Sequence, residues 1–306
     1  MIAKMILGTR GSELARTQTL LVEKAIRSAH SAVAIETRII MTRGDNAKVD
    51  GFDAGRKGLF TAEIERALLA GEVDVAVHSA KDLPSQPSPG AQIAAVLPRA
   101  PINDVLISKH PGGLGSIPVS ATVATGSVRR QRQLRWQRAD LKVVDLRGNV
   151  LTRLRKLAEN QWDGIVLARA GLERLGFSPT RSEIDFEGVQ FFLEILPHEI
   201  FVPAGGQGII ALQIRTDDQG TKALLESVSD RETLLCLRAE RGFLSRLHGD
   251  CNFPVGVHAR IRNEKMKLCA QVFEGESPSP RQAEVEGVPD EGDQLAAELL
   301  RRIEQD

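Results

Sequence analysis

Along the first hundred residues short apolar runs alternate with stretches whose apolar positions recur at helical spacing. Lys4–Thr9 predicts a short strand, and the Arg10-Gly11 turn leads to Ser12, a good N-cap. Leu14, Leu21, Val22, Ala25 and Ile26 then recur at helical spacing. Val33–Met41 predicts the next strand, and Thr42–Gly58 is too long, polar and Gly-rich for a tight connection. A helix over Leu59–Ala70 turns Phe60, Ile64 and Leu68 inward and stops at Gly71. Val73–Val77 reads as a buried strand closing on His78-Ser79-Ala80-Lys81-Asp82. Past the proline patch Pro84–Pro89, Ile93–Leu97 is a further strand. Strand–helix–strand units in succession predict an open, mostly parallel sheet.

Pro98-Arg99-Ala100-Pro101 then reads as a crossing into a second unit with the same grammar. Thr122–Thr125 is a strand, Gly126-Ser127 a turn and cap, and Val128–Arg138 a helix. Val143–Leu146 leads through Arg147-Gly148-Asn149 into a helix over Val150–Glu159, and Gly164–Leu167 is one more strand. After a polar stretch, Val202-Pro203-Ala204-Gly205-Gly206-Gln207-Gly208 is a second crossing, and the strand Ile209–Ile214 is expected to return to the first unit. The pattern then changes to helices over Thr221–Val228 and Arg231–Leu247, strands Val255–Arg262 and Lys265–Phe273, and a last helix Asp293–Glu304, α+β in style. The expected units are 1–98 with 207–226, 102–202, and 229–306.

Composition narrows the function. Forty basic residues balance forty acidic ones among 306, which argues against a general nucleic-acid or membrane-surface binder. No apolar run reaches the length of a membrane span, MIAKMILGTR carries no cleavage signal, and the sparse cysteines point to a reducing compartment, so a cytoplasmic protein is expected. Three scattered cysteines suit neither a disulfide framework nor a zinc site. Of the basic residues 29 are Arg and 11 Lys, an excess that favours a planar fork for carboxylate or phosphate.

The chemistry-bearing segments sit where strands meet helices. GTRGS and ATGSVRR each place backbone N–H groups, a serine hydroxyl and arginines at a helix N-terminus, a natural seat for anions. Taken singly, Ser12 and Ser127 are also ordinary helix caps. The series Arg129, Arg130, Arg132, Arg135, Arg138, Arg147, Arg153 and Arg155 points to a ligand with several carboxylates or phosphates. A solvated helix face or a nucleic-acid patch is the alternative, although with aromatics at 4% and no tyrosine stacking platforms are scarce. Asp82, at a strand end, could balance a developing cation or accept a proton, or simply begin an Asp-Leu-Pro bend. Cys236 and Cys269 read as core, whereas Cys251 stands in a Gly- and Pro-rich turn, either as a nucleophile or covalent anchor or as a plain surface thiol.

Taken in order, GTRGSELA (8–15), TRGD (42–45), KGLF (57–60), DVAVHSAKDLP (74–84), ATGSVRRQRQL (124–134), LRGNVLTRL (146–154), LARAGLERLG (167–176), PAGGQG (203–208), AERGFLSRL (239–247) and GDCNFPVG (249–256) make the chain resemble the porphobilinogen deaminase (hydroxymethylbilane synthase) family. The resemblance implies two periplasmic-binding-protein-like α/β domains with a cleft between them, plus a small C-terminal α+β domain. It implies an enzyme that joins four porphobilinogen molecules head to tail with loss of ammonia, giving hydroxymethylbilane in tetrapyrrole (haem) biosynthesis. It also implies one dipyrromethane cofactor per chain, thioether-linked through Cys251. By motif position Asp82 is the catalytic carboxylate, facing the pyrrole nitrogens. Lys81, Ser79, Ser127, Arg129, Arg130 and Asp82 fall at cofactor positions, and Arg10, Ser12, Lys57, Arg147, Gly148, Asn149, Arg153, Arg174 and Gln207 at substrate positions. A metal is not expected, nor a nucleic-acid or membrane partner; the expected state is a monomer, with Thr42–Arg56 as a moving segment. The chain departs from the family pattern at Ala62, where many relatives carry lysine, and at Asp250 and Asn252, beside Cys251. Two rival readings remain at this point: a reversible anion-binding module, which gives Cys251 no task, and an Arg-rich nucleic-acid binder, whose affinity would fall steeply with salt.

Overall fold

The structure, a computed structural model, describes residues 4–42, 61–86, 88–179, 181–247, 253–275 and 277–305. The chain first builds β1 (Lys4–Thr9), α1 (Glu13–Ala29), β2 (Ala34–Ile39), α2 (Ala62–Leu69), β3 (Val75–Ser79), a 3-10 turn at Ala80–Asp82 and β4 (Ala91–Val96). Then come β5 (Asp104–Ser108), β6 (Thr122–Ala124), α3 (Val128–Gln137), β7 (Lys142–Val144), α4 (Val150–Glu159), β8 (Gly164–Ala168), α5 (Arg169–Arg174), β9 (Glu183–Phe186) and β10 (Val189–Ile195). The remainder is β11 (Ile210–Arg215), α6 (Gln219–Glu226), α7 (Arg231–Arg246), β12 (Val255–Arg262), β13 (Lys265–Val272), β14 (Arg281–Gly287) and α8 (Gly292–Gln305).

Three sheets result, ordered β2-β1-β3-β11-β4, β7-β6-β8-β5-β10-β9 and β12-β13-β14. Two α/β layers and a small α+β unit were expected, and that is the class observed. The mostly parallel sheet is not. β1 runs parallel to β2 and β3, but β11 lies antiparallel between β3 and β4, with Ile210 opposite Ser79 and Ala211 opposite Val96. In the second sheet β5, β9 and β10 likewise add antiparallel pairs. A returning strand can enter a sheet in either sense, and its direction is set by where the chain has been rather than by its own composition.

The helices form for local reasons. Ser12 Oγ accepts from Ala15 N at 3.3 Å at the start of α1, and Val22 and Ile26 turn into the first sheet with Met5, Leu7 and Val75. α2 ends at Ala70, followed by Gly71 at φ +74°, a backbone setting that glycine takes without strain. Asn149 Oδ1 accepts from Thr152 N at 2.9 Å to start α4, whose Leu154 and Leu157 close the second core with Phe191. In the third unit α7 and α8 cover one face of the sheet, burying Phe243, Leu268, Val272 and Leu299.

The two crossings lie side by side and are pinned to the third unit. Ala100 N donates to Gly208 O at 3.1 Å. A side chain at Gly208 (φ +87°) would place its Cβ 2.4 Å from Ala100 O, so the close approach requires glycine. Arg99 spans the gap: Nε donates to Gln207 O at 3.0 Å, and the guanidinium forks onto Glu240 of α7 at 2.6 and 3.2 Å. Glu240, 0% exposed, also accepts from Gly206 N at 2.7 Å and Ala259 N at 2.8 Å. One carboxylate therefore joins both crossings, α7 and β12.

Candidate active site

The carboxyl end of β3 is the centre of the candidate site. Successive side chains of a strand face opposite ways, and here His78 is buried below while Ser79 is half-buried above. His78 Nε2 lies 3.1 Å from Gln213 Oε1, and Gln213 Nε2 donates to Glu65 at 2.8 Å. Burial pushes the His78 imidazole down to about 4; the Gln213 contact opposes this and the Arg10 charge adds to it. His78 is thus neutral at physiological pH and supports the strand. Ser79 Oγ exchanges hydrogen bonds with Gln18 of α1, accepting from Nε2 at 2.8 Å and donating to Oε1 at 3.2 Å.

Lys81 and Asp82 follow on the 3-10 turn. Burial pushes Lys81 down to about 8, and Arg130 and Arg129 add to this while Asp82 and Asp104 oppose it. Asp82 is exposed. Its charge is felt across the cleft by Arg153, which burial holds down to about 10, with Arg130 and Arg147 pushing the same way and Asp82 and Asp145 opposing. Side chains from the first and second sheets therefore share one electrostatic field.

From the second sheet, Ser127 caps α3, its Oγ 3.5 Å from Arg130 N. Arg129 and Arg130 follow and are buried. Their nitrogens are committed to a protein carboxylate: Arg129 Nη1 donates to Asp104 at 2.9 Å and Arg130 Nη2 donates to it at 2.7 Å. A buried acid thus claims part of each guanidinium. Arg147 is exposed and paired with Asp145 at 2.8 Å. Gly148 (φ +117°) makes the turn, and Arg153 Nε donates to Gly148 O at 2.7 Å. Arg174 Nη2 donates to Gly208 O at 2.7 Å on the second crossing, and burial lowers its guanidinium to about 10. Gln207 is buried, with Nε2 donating to Ile102 O at 2.6 Å and Asp104 at 2.8 Å.

Of the expected residues, Lys81, Asp82, Arg129, Arg130, Arg147 and Arg153 thus share one cluster, and Gln207 joins it through Asp104. Arg10 lies close enough to His78 to shift it, Ser12 and Asn149 act as caps, and Arg174 braces the crossing. Lys57, Cys251 and residues 43–56 lie outside the described residues. Sequence reading missed Asp104 and Gln18. The available signals were an acid opening an apolar run, NDVLIS, and a glutamine on the inward face of α1. A cavity of about 570 Å³ lies elsewhere, between His198–Val202 and the outer face of the third sheet, and shares none of these residues. Among the described residues no cluster of His, Cys, Asp or Glu could hold a metal, and no helix is long and apolar enough to cross a membrane.

Residues 5–223 match the family model described as "Porphobilinogen deaminase, dipyromethane cofactor binding domain", and residues 234–305 match its C-terminal domain. The chain belongs to the porphobilinogen deaminase family. A porphobilinogen deaminase of Roseiflexus sp. (strain RS-1) is 44% identical over 265 residues, covering 86% of this chain and 84% of that protein. One of Syntrophomonas wolfei is 39% identical over 298 residues, covering 97% and 94%. Among solved structures, the methionine-binding protein MetQ aligns with a TM-score of 0.44 at 13% identity, covering 81% of this chain and 96% of that one. Porphobilinogen deaminases polymerise porphobilinogen to hydroxymethylbilane and carry a dipyrromethane cofactor, and this chain is a transferase of that kind.

The residues present suit such a group. The Nε atoms of Arg129 and Arg130 are buried with no acceptor among the described residues, and the carbonyl oxygen of the Gln207 side chain is buried with no donor among them. Around them the cations Lys81, Arg129, Arg130 and Arg153 face the carboxylates Asp82 and Asp104. Positive charge and N–H donors in excess are what a poly-carboxylate pyrrole would satisfy.

Proposed function

We propose that the chain builds hydroxymethylbilane on a dipyrromethane primer tethered by thioether to Cys251, with Asp82 as the catalytic carboxylate. What supports the residue assignment is charge: Asp82 opposes the lowering by burial of both Lys81, on the 3-10 turn after β3, and Arg153, on α4 of the second unit. Lys81, Ser79, Ser127, Arg129 and Arg130 would hold the cofactor carboxylates. Arg10, Ser12, Lys57, Arg147, Gly148, Asn149, Arg153, Arg174 and Gln207 would receive substrate. When bound, the cofactor supplies the pyrrole end onto which units are added. Loss of ammonia leaves positive charge on a substrate ring nitrogen, and a fixed Asp82 carboxylate stabilises that charge and can accept the proton released on coupling. The units 1–98 with 207–226, 102–202 and 229–306 belong to the same reading, which the three separate sheets support. So do a monomeric state, a cytoplasmic location and the lack of a nucleic-acid partner. In support of the last, Arg132 donates to the carbonyls of Gly275 and Ser277, and Arg138 and Arg155 pair with Asp140 and Glu187.

The test is to supply porphobilinogen and follow ammonia and a linear tetrapyrrole. Intact mass decides the anchor. Wild-type protein should exceed its polypeptide mass, Cys251→Ser should not, and Cys236→Ser and Cys269→Ser should. Added mass surviving in Cys251→Ser would remove that residue from the proposal.

A pH dependence follows from Lys81. Its ordinary value is 10.5 and its value here about 8, so the ammonium that attracts a carboxylate is lost as pH rises through about 8. Affinity of the Cys251→Ser protein for succinate, measured by calorimetry, should be full below pH 7 and fall above 8. Lys81→Arg, charged throughout, should flatten the curve. A flat wild-type curve would show that Lys81 takes no part in the anion grip.

A further inference from the structure

Asp104 opens β5, is 0% exposed, and accepts from Arg129 at 2.9 Å, Arg130 at 2.7 Å and Gln207 at 2.8 Å. Burial works to raise its pKa, but the charges and hydrogen bonds of both arginines outweigh burial and hold the carboxyl well below the usual carboxylate range. The network continues beyond it. Arg129 Nη1 also donates to Gln133 Oε1 at 2.8 Å, and Gln133 Nε2 donates to Gln271 of β13 at 2.6 Å. Through these contacts one carboxylate connects the second crossing, the first turn of α3 and the third sheet.

Stability alone does not account for this arrangement. A buried ion pair is often replaced by apolar residues at no loss, because desolvation cancels much of its attraction. Direction is what it provides. A guanidinium is a rigid plane whose aim is fixed once two nitrogens are tied. Arg130 has Nη1 on Val166 O at 3.0 Å and Nη2 on Asp104, which leaves its Nε without an acceptor. We propose that Asp104 is a positioning residue: it fixes the plane of Arg130, anchors Arg129 through Nη1, and keeps this carboxylate grip in register with the second crossing and the third sheet. The proposal deepens the reading above and rests on it.

Three measurements on Asp104→Asn and Asp104→Glu test it. The first is the fraction of purified chains bearing the added covalent mass, expected to fall at least twofold in Asp104→Asn. Ammonia release per mass-bearing chain should fall at least tenfold in the same variant. The third readout is one that simple loss of stability would not move. Lys81 faces Asp82 and Asp104, which raise its pKa, and Arg130 and Arg129, which lower it. In the Cys251→Ser background, Asp104→Asn should therefore shift the loss of succinate binding to lower pH by about half a unit. Asp104→Glu restores the charge one methylene further out, so the pH curve should return while turnover stays below wild type. Full mass, wild-type turnover and an unmoved curve in Asp104→Asn would overturn the proposal. If that variant does not fold, wild-type mass and turnover in Asp104→Glu would overturn it alone. A wild-type chain with no added mass and no ammonia release would instead remove the reading on which it rests.

Discussion

Asp82→Asn is expected to lower the rate of ammonia release by about 10²–10³-fold while the chain keeps its covalent mass. Asparagine is isosteric, so the 3-10 turn at Ala80–Asp82 and the β3 register are undisturbed. What is lost is a negative charge that Lys81 and Arg153 both feel. On the proposed reading the cofactor's carboxylates are held by cations and its ring by the tether, neither of which needs Asp82, so retention and turnover should separate. A substituted chain that turns over near the wild-type rate would take Asp82 out of the chemistry. One that loses its mass as well would show that Asp82 also holds the cofactor, as its motif position implies.

The largest effect on stability is expected at Glu240→Ala. This change strands the Arg99 guanidinium and leaves Gly206 N and Ala259 N without acceptors at the point where crossings and third unit meet. Removing one partner of a buried pair costs about 3–5 kcal/mol, because the remaining charge stays desolvated. The thermal midpoint should fall on the order of 10 °C. Both partners are well buried, so solvent screening gives little relief. A double replacement, Arg99→Met with Glu240→Leu, removes the stranded charge and should recover part of the loss. Equal midpoints for wild type and Glu240→Ala would show that the hub carries no weight.

The elements with strong periodicity were plain in the sequence: α1, with Ser12 before its apolar stripe, α7, α8, and the β12–β13 hairpin. Those with weak or borrowed signals were not. β5 is five residues hidden behind the prolines of the first crossing and buried throughout, so it shows no period, and β14 alternates but turns only Val285 fully inward from a polar edge. β9 and β10 lie in the stretch read as polar, although Ile184, Phe186 and Phe191 turn into the second core. The site behaved similarly. Arginines at strand–helix junctions announce an anion seat by type and place. Asp104 and Gln18 do not, since their roles depend on which side chains the fold brings to them, and nothing local encodes that. Arg132 looked like a ligand arginine and instead lies over Phe273 at 5.5 Å, holding carbonyls of the third unit.

The antiparallel β11 has a consequence for biogenesis. It fills the slot between β3 and β4, yet it is made only after the whole second sheet. A nascent polypeptide that has left the ribosome as far as β10 therefore holds an unzipped seam through its first layer, with hydrogen-bonding edges open on both sides. That layer cannot finish until the neighbouring one has been synthesised, and the two are obliged to mature together.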